Sequence, residues 1–162
     1  MNVSLSAQNI VKHYGGVVAL SDGNLEVQSG QVLALIGANG SGKSTLSKVI
    51  NGVVVLDGGQ LLLDHKPVYF SSPHAAIENG IATVFQELSL IPNMTVAENI
   101  WLTQEPRNVF GVIKKKEVHQ KTNELLALFE GTYKTKLSPD TPISALPADE
   151  KQIIEILKAI RL

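Results

Sequence analysis

Cysteine is absent from the 162 residues, which excludes disulfides and any Cys-ligated metal and is compatible with a reducing compartment. A surplus of either charge is also missing: 14 Lys and Arg stand against 15 Asp and Glu, for a net charge of −1. Bulk electrostatics therefore give no reason to expect nucleic acid or anionic lipid as a partner. No apolar run approaches the ~20 residues needed to span a bilayer, so a membrane role is expected to come through a partner. The first ten residues lack the basic head and apolar core of a secretory signal. Internal repeats and low-complexity segments are not found. What remains is a chain long enough for one modest domain with a real core.

The first half alternates strands and helices. Leu5, Ala7, Ile10 and Val11 predict an early strand ending at Tyr14-Gly15-Gly16. Residues 17–20 and 25–27 predict a second strand, broken by Ser21-Asp22-Gly23. The continuous apolar run 32–36 reads as a strand buried on both faces, and 81–85 as another buried strand. A helix is expected from Lys43 to Ile50, stopped by Asn51-Gly52. Gly58-Gly59 turns into a strand over 60–63. Ser72-Pro73 starts a helix that Gly80 ends. Beyond about Thr95 the chain reads as mainly helical. One helix is expected over 114–130, with Val118, Leu125, Leu126 and Phe129 on one face. Another is expected over 148–160, with Ile153, Ile154, Ile156, Leu157 and Ile160 forming a wide apolar stripe. The run Lys114-Lys115-Lys116 reads as a solvated helix start. His13, His65, His74 and His119 share no metal-ligand spacing.

Gly37-Ala38-Asn39-Gly40-Ser41-Gly42-Lys43-Ser44 fits G-x-x-x-x-G-K-[ST], between a predicted strand and a predicted helix. The spacing suits a triphosphate. Glycines let backbone N–H groups converge without a Cβ in the way, and the helix start adds its positive end. Lys43 supplies a mobile point charge for the β- and γ-phosphates, and the Ser44 hydroxyl is placed for Mg²⁺. The candidate nucleotide ligands are Gly37, Asn39, Gly40, Ser41, Gly42, Lys43, Ser44 and Thr45. A dinucleotide fold is disfavoured, because the glycine spacing is not G-x-G-x-x-G.

Taken with three further segments, this loop resembles the ATP-binding subunit of ABC transporters over essentially the whole chain. Lys12-His13-Tyr14-Gly15-Gly16 is similar to that family's A-loop, which implies that Tyr14 stacks on adenine. Thr83-Val84-Phe85-Gln86-Glu87 is similar to its Q-loop, which implies that Gln86 contacts Mg²⁺ or the attacking water and couples to a transmembrane partner. The wording of 86–102 resembles the sugar-importer branch, of ribose or xylose type. Exposed members of 88–94 and Trp101 are then candidates for contact with a permease subunit, with core packing the alternative for Trp101.

The resemblance implies an α/β fold: a P-loop NTPase core with an antiparallel β portion and a helical subdomain, truncated before Walker B. The expected divisions are 1–94 for the nucleotide-binding core, 95–150 for the helical subdomain and 146–162 for the signature segment and helix. Implied cofactors are ATP and Mg²⁺. Implied partners are permease subunits, a periplasmic or extracellular sugar-binding protein and a second cassette, at the cytoplasmic face of the membrane. No nucleic acid is expected.

Two departures stand out. The signature segment, L-S-G-G-Q in the family, is Leu146-Pro147-Ala148-Asp149-Glu150 here, with two carboxylates in the first helical turn that would repel a triphosphate. Walker B and the catalytic glutamate do not appear before Leu162, so this chain is expected to bind ATP with little turnover. It is also expected to expose an apolar edge beside 32–36 or 81–85 and to self-associate there. A nucleotide-binding module without turnover, or a soluble ABC ATPase outside transport, are the alternatives.

Overall fold

The computed structural model describes residues 4–84, 87–134 and 136–161. The chain divides into two compact units, Met1–Ala82 and Thr83–Leu162.

The first unit is built on a four-stranded antiparallel sheet in the order β2-β1-β3-β4. Strand β1 is Ser4–Tyr14, β2 is Val17–Gln28, β3 is Gly58–Leu63 and β4 is Lys66–Val68. Helix α1, Lys43–Ile50, and helix α2, Pro73–Glu78, belong to the same unit. Ala7, Ile10, Leu46, Val49, Leu61 and Phe70 form its core.

Strand β2 runs unbroken through Ser21-Asp22-Gly23, contrary to the sequence reading. The irregularity is absorbed as register shifts between β1 and β2. Asn9 takes a left-handed conformation, φ +51°. Its N–H donates to Asn24 Oδ1 at 2.8 Å and its Nδ2 to Asp22 Oδ1 at 3.0 Å. The groups freed from the ladder are thus satisfied by side chains. Strand β4 was not anticipated. It is a three-residue edge strand containing Pro67, where a missing N–H is tolerated. It follows a tight turn in which Asp64 and His65 both have positive φ, the geometry that matches strand twist.

The largest correction concerns 32–36 and 81–84. Neither is hydrogen-bonded into a sheet among the described residues. Val32 is 100% and Ile36 91% exposed. An apolar run becomes a buried strand only where neighbours supply a ladder on both sides, and here the segments have none. Val32, Leu33, Leu35 and Ile36 are exposed, but as a run outside any sheet and not as the strand edge expected at this place. Ile81 alone packs against the first core.

The second unit is helical: α3, Val96–Trp101; α4, Lys115–Ala127; a 3₁₀ turn, Ile143–Ala145; and α5, Ala148–Ile160. Val96, Ile100, Leu126, Ile143, Ile154 and Leu157 make its core. Helix α3 begins with a capping box. Glu98 N donates to Thr95 Oγ1 at 3.2 Å, and Thr95 N to Glu98 Oε2 at 2.8 Å, so both orphan donors are satisfied. The stripe on α5 is narrower than expected, since Ile160 is exposed. A carboxylate, Glu155, takes a buried position instead.

Candidate functional site

The glycine-rich loop and α1 form the wall of a cavity of about 400 Å³ in the first unit, which Val17, Val18 and Ala19 of β2 complete. Asn39, Gly40, Ser41, Gly42, Lys43, Ser44 and Thr45, all expected from the sequence, line it. Gly37 stands at the loop's other end. A Cβ there would lie 2.9 Å from Ser41 Oγ.

Two glycines are required by conformation. Gly40 and Gly42 have φ +84° and +87°, where an L side chain is strained. At Gly42 space is short as well, because a Cβ would meet Leu20 Cδ1 at 2.6 Å. Gly42 also caps α1 without a side-chain hydrogen bond. The amides of the first turn are therefore left to an external acceptor.

The Lys43 ammonium folds over the loop. It donates to Gly37 O and Ala38 O, both at 2.7 Å, and to Ser41 Oγ at 3.1 Å. One cation thus reaches three oxygens of the loop, and the hydroxyls of Ser41, Ser44 and Thr45 stand along the cavity with it. This set of donors fits a polyphosphate: amides and an ammonium for the oxygens, and a hydroxyl, Ser44, in the first turn of α1. Among the described residues no three His, Cys, Asp or Glu gather as a metal site.

Tyr14 ends β1, in register with Val17, a wall residue of the cavity. Its ring is half exposed, with Lys12 Nζ 5.7 Å from the centroid. This strand end is anchored to Asp57. Lys12 Nζ lies 2.9 Å from Asp57 Oδ1, and His13 N donates to Asp57 Oδ2 at 2.6 Å. The His13 amide first, and the Lys12 side chain second, hold the Asp57 carboxyl below its usual range. Gln86 lies outside the described residues.

The segment that follows Gln86 is fastened by side chains that sequence reasoning missed. Asn99, fully buried, accepts from Ile91 N at 2.7 Å and donates to Ile91 O at 3.1 Å and Thr95 O at 3.0 Å. Glu155 accepts from Ser89 N, and Lys158 Nζ donates to Ser89 Oγ at 2.8 Å. Trp101 packs against the second core and donates its indole N–H to Thr122 Oγ1 at 3.0 Å. Its main role is packing, while Leu88 and Ile91 are exposed.

Helix α5 starts at Ala148, as read. One expectation fails there: Glu150 is only 1% exposed and accepts from Lys134 N at 3.1 Å. Of the two carboxylates in that turn, only Asp149 faces solvent. Three of the four histidines sit beside acids, His13 with Asp57, His74 with Glu78 and His119 with Asp140, at 3.4–3.6 Å.

Comparison with known proteins agrees with this geometry. The family model described as ABC transporter matches residues 20–161. A putative ribose/galactose/methyl galactoside import ATP-binding protein of Pseudomonas fluorescens is 44% identical over 156 residues, 96% of this chain and 30% of that protein. A ribose import ATP-binding protein of Hahella chejuensis is 40% identical over 162 residues, 100% of this chain and 32% of that protein. The chain thus spans about a third of the length of the curated relatives it matches. Among solved structures, an ATP-binding cassette of an ABC transporter in its ADP conformation superposes with a TM-score of 0.80 at 27% identity, covering 99% of this chain and 65% of that one. A nucleotide-free cassette gives 0.73 at 29%, with the same coverage. A phosphate-loop α/β architecture, the Gly37–Lys43 cradle and a family match across most of the chain converge on one statement: this chain belongs to the ABC transporter family of ATP-binding cassettes.

Proposed function

We propose that the chain is the ATP-binding part of the energy-coupling subunit of a carbohydrate importer, with a monosaccharide as cargo. The observation that carries this reading is the cavity at the start of α1. There a glycine-built loop, uncapped helix amides and the Lys43 ammonium converge on a space suited to phosphates. Gly37, Asn39, Gly40, Ser41, Gly42 and Thr45 shape the cradle, and Lys43 exchanges its loop oxygens for the β- and γ-phosphate oxygens. Ser44 and Gln86 hold Mg²⁺, which neutralises charge on the phosphates when bound. Tyr14 stacks on adenine from the rim.

The relatives named as import ATP-binding proteins support the cargo class and the partners: permease subunits, a sugar-binding protein and a second cassette, at the cytoplasmic face of the membrane. No helix among the described residues is long and apolar enough to cross a membrane, in keeping with a peripheral subunit. A second reading, nucleotide binding without turnover by this chain, is favoured by the start of α5. Pro147 caps that helix with no side-chain hydrogen bond, and Asp149 stands exposed beside it.

Calorimetric titration of the chain with Mg-ATP, with Lys43→Ala alongside, tests the assignment. Saturable binding that the variant loses is expected. A folded parent chain that takes up no nucleotide would overturn it.

A further inference from the structure

The loop between α3 and α4 takes no part in the nucleotide site, yet it is firmly built. Asn108 Oδ1 accepts from Phe110 N at 2.9 Å and Val112 N at 3.0 Å. Asn108 N donates to Val112 O, and Gly111 N to Asn108 O, both at 2.9 Å. Gly111 supplies the positive φ, +78°. Arg107 pairs with Ile113 across the loop, and Lys114 N donates to Pro106 O at 2.8 Å.

The side chains held out by this frame are apolar. Val109 is 94% and Phe110 86% exposed, with Val112 exposed beside them. Because the amides at Phe110, Gly111 and Val112 already have partners inside the loop, the tip can enter an apolar phase without stripping those donors of water.

Cations surround the base of the tip. Arg107 pairs with Glu105 at 3.1 Å and Lys114 with Glu117 at 3.2 Å. Lys115 and Lys116 are exposed and have no ion pair among the described residues. Both sit in the first turn of α4, where positive charge opposes the helix dipole. No ion pair among the described residues accounts for their placement, although both line one open pocket with His119 and Asp140. The balanced charge of the whole chain hides this local excess.

We propose that loop 107–116 is a direct lipid contact: Val109 and Phe110 enter the boundary between headgroups and acyl chains of an anionic bilayer, while Lys115 and Lys116 meet lipid phosphates. Two apolar side chains cover far less than the roughly 1,000 Å² that a stable protein interface buries. A lipid surface needs only such a small apolar wedge backed by cations. This goes beyond the importer reading, in which the chain reaches the membrane through a permease, and does not depend on nucleotide.

Sedimentation of the chain with vesicles of phosphatidylcholine, alone or mixed with phosphatidylglycerol, tests the proposal. Binding to the mixed vesicles, weakened by salt, is expected. Val109→Ser with Phe110→Ser should lower it at least about tenfold, from the apolar burial lost. Lys115→Ala with Lys116→Ala should lower it about twenty-fivefold, at roughly fivefold per cation. Val32→Ser with Ile36→Ser, which removes apolar groups exposed elsewhere, should leave it unchanged. All these positions are exposed, so circular dichroism should show every variant folded. Failure of the parent to bind mixed vesicles overturns the proposal. So does equal binding by the tip variant, or loss of binding only in the Val32 and Ile36 variant. If the tip variant abolishes self-association of a chain that ignores vesicles, the loop is a protein contact and the proposal fails.

Discussion

Replacing Asn99 by alanine removes three hydrogen bonds but leaves one backbone group without a partner. Ile91 O keeps the bond from Met94 N at 3.1 Å, and Thr95 O keeps the one from Asn99 N at 3.0 Å. Ile91 N has only Asn99 Oδ1, at 2.7 Å. The orphaned donor is only partly buried, so its cost falls in the lower part of the roughly 1–3 kcal/mol of a buried one, and the void left by the carboxamide adds about 1 kcal/mol. The expected loss is therefore about 2–3 kcal/mol. Trp101, the single tryptophan, reports this directly, because it packs in the same unit and its indole is bonded to Thr122. In urea unfolding followed by its fluorescence, the midpoint should fall by about 1–2 M at an unchanged slope of roughly 1–3 kcal/mol per M. Thr95→Ala, which deletes the capping oxygen of α3, is the internal scale at about 1 kcal/mol. An Asn99→Ala chain that unfolds no earlier than Thr95→Ala would refute the reasoning, since the buried amide would then matter no more than an exposed cap.

Gly40→Ala and Gly42→Ala should separate backbone strain from crowding. Both cost about 1 kcal/mol for left-handed φ, but only Gly42→Ala also sets a methyl against Leu20 Cδ1, which must move, and should weaken Mg-ATP uptake further by calorimetry; equal effects of the two on affinity would refute this. Asp57 is held below its usual range in the folded chain, so its contribution is present above the ordinary carboxylate range and is lost as pH falls through the lowered value. Asp57→Asn should accordingly flatten the acid limb of a stability-versus-pH curve, and superimposable limbs for parent and variant would count against the Lys12–His13–Asp57 anchor.

What the sequence revealed was local in the chain. The cradle over 37–45 was legible because its ligands are consecutive and its glycines answer to backbone conformation. The bounds of α1 and α5 were legible because a glycine stop and an apolar stripe mark them. Helix α3 fell within the stretch beyond about Thr95 read as mainly helical but was not singled out, although Thr95 and Glu98 spell a capping box, because its six residues are too few to show a period. The reading of 32–36 as a buried strand failed because apolar character reports a preference for burial, whereas a ladder requires neighbours that the run does not itself specify. The fastening of 89–91 was invisible for a related reason. Asn99 and Glu155 act on backbone groups 8 and 66 residues away, and nothing in the identity of Ser89 or Ile91 announces that bond. The phase of α5 likewise hid which carboxylate of the Asp149-Glu150 pair turns inward.

The ammonium of Lys43, folded onto Gly37 O, Ala38 O and Ser41 Oγ, makes the lysine a tenant of its own cradle. The loop is held in shape from within. Arrival of an anion is then a change of partners, and its net gain is what remains after three existing bonds are surrendered. On the proposed reading, a lone, weakly charged group would compete poorly with two carbonyls and a hydroxyl, while a chain of phosphates would also engage the amides of α1 and displace the tenant. Selectivity for polyphosphate over small anions would in this sense be set by the occupant already in place.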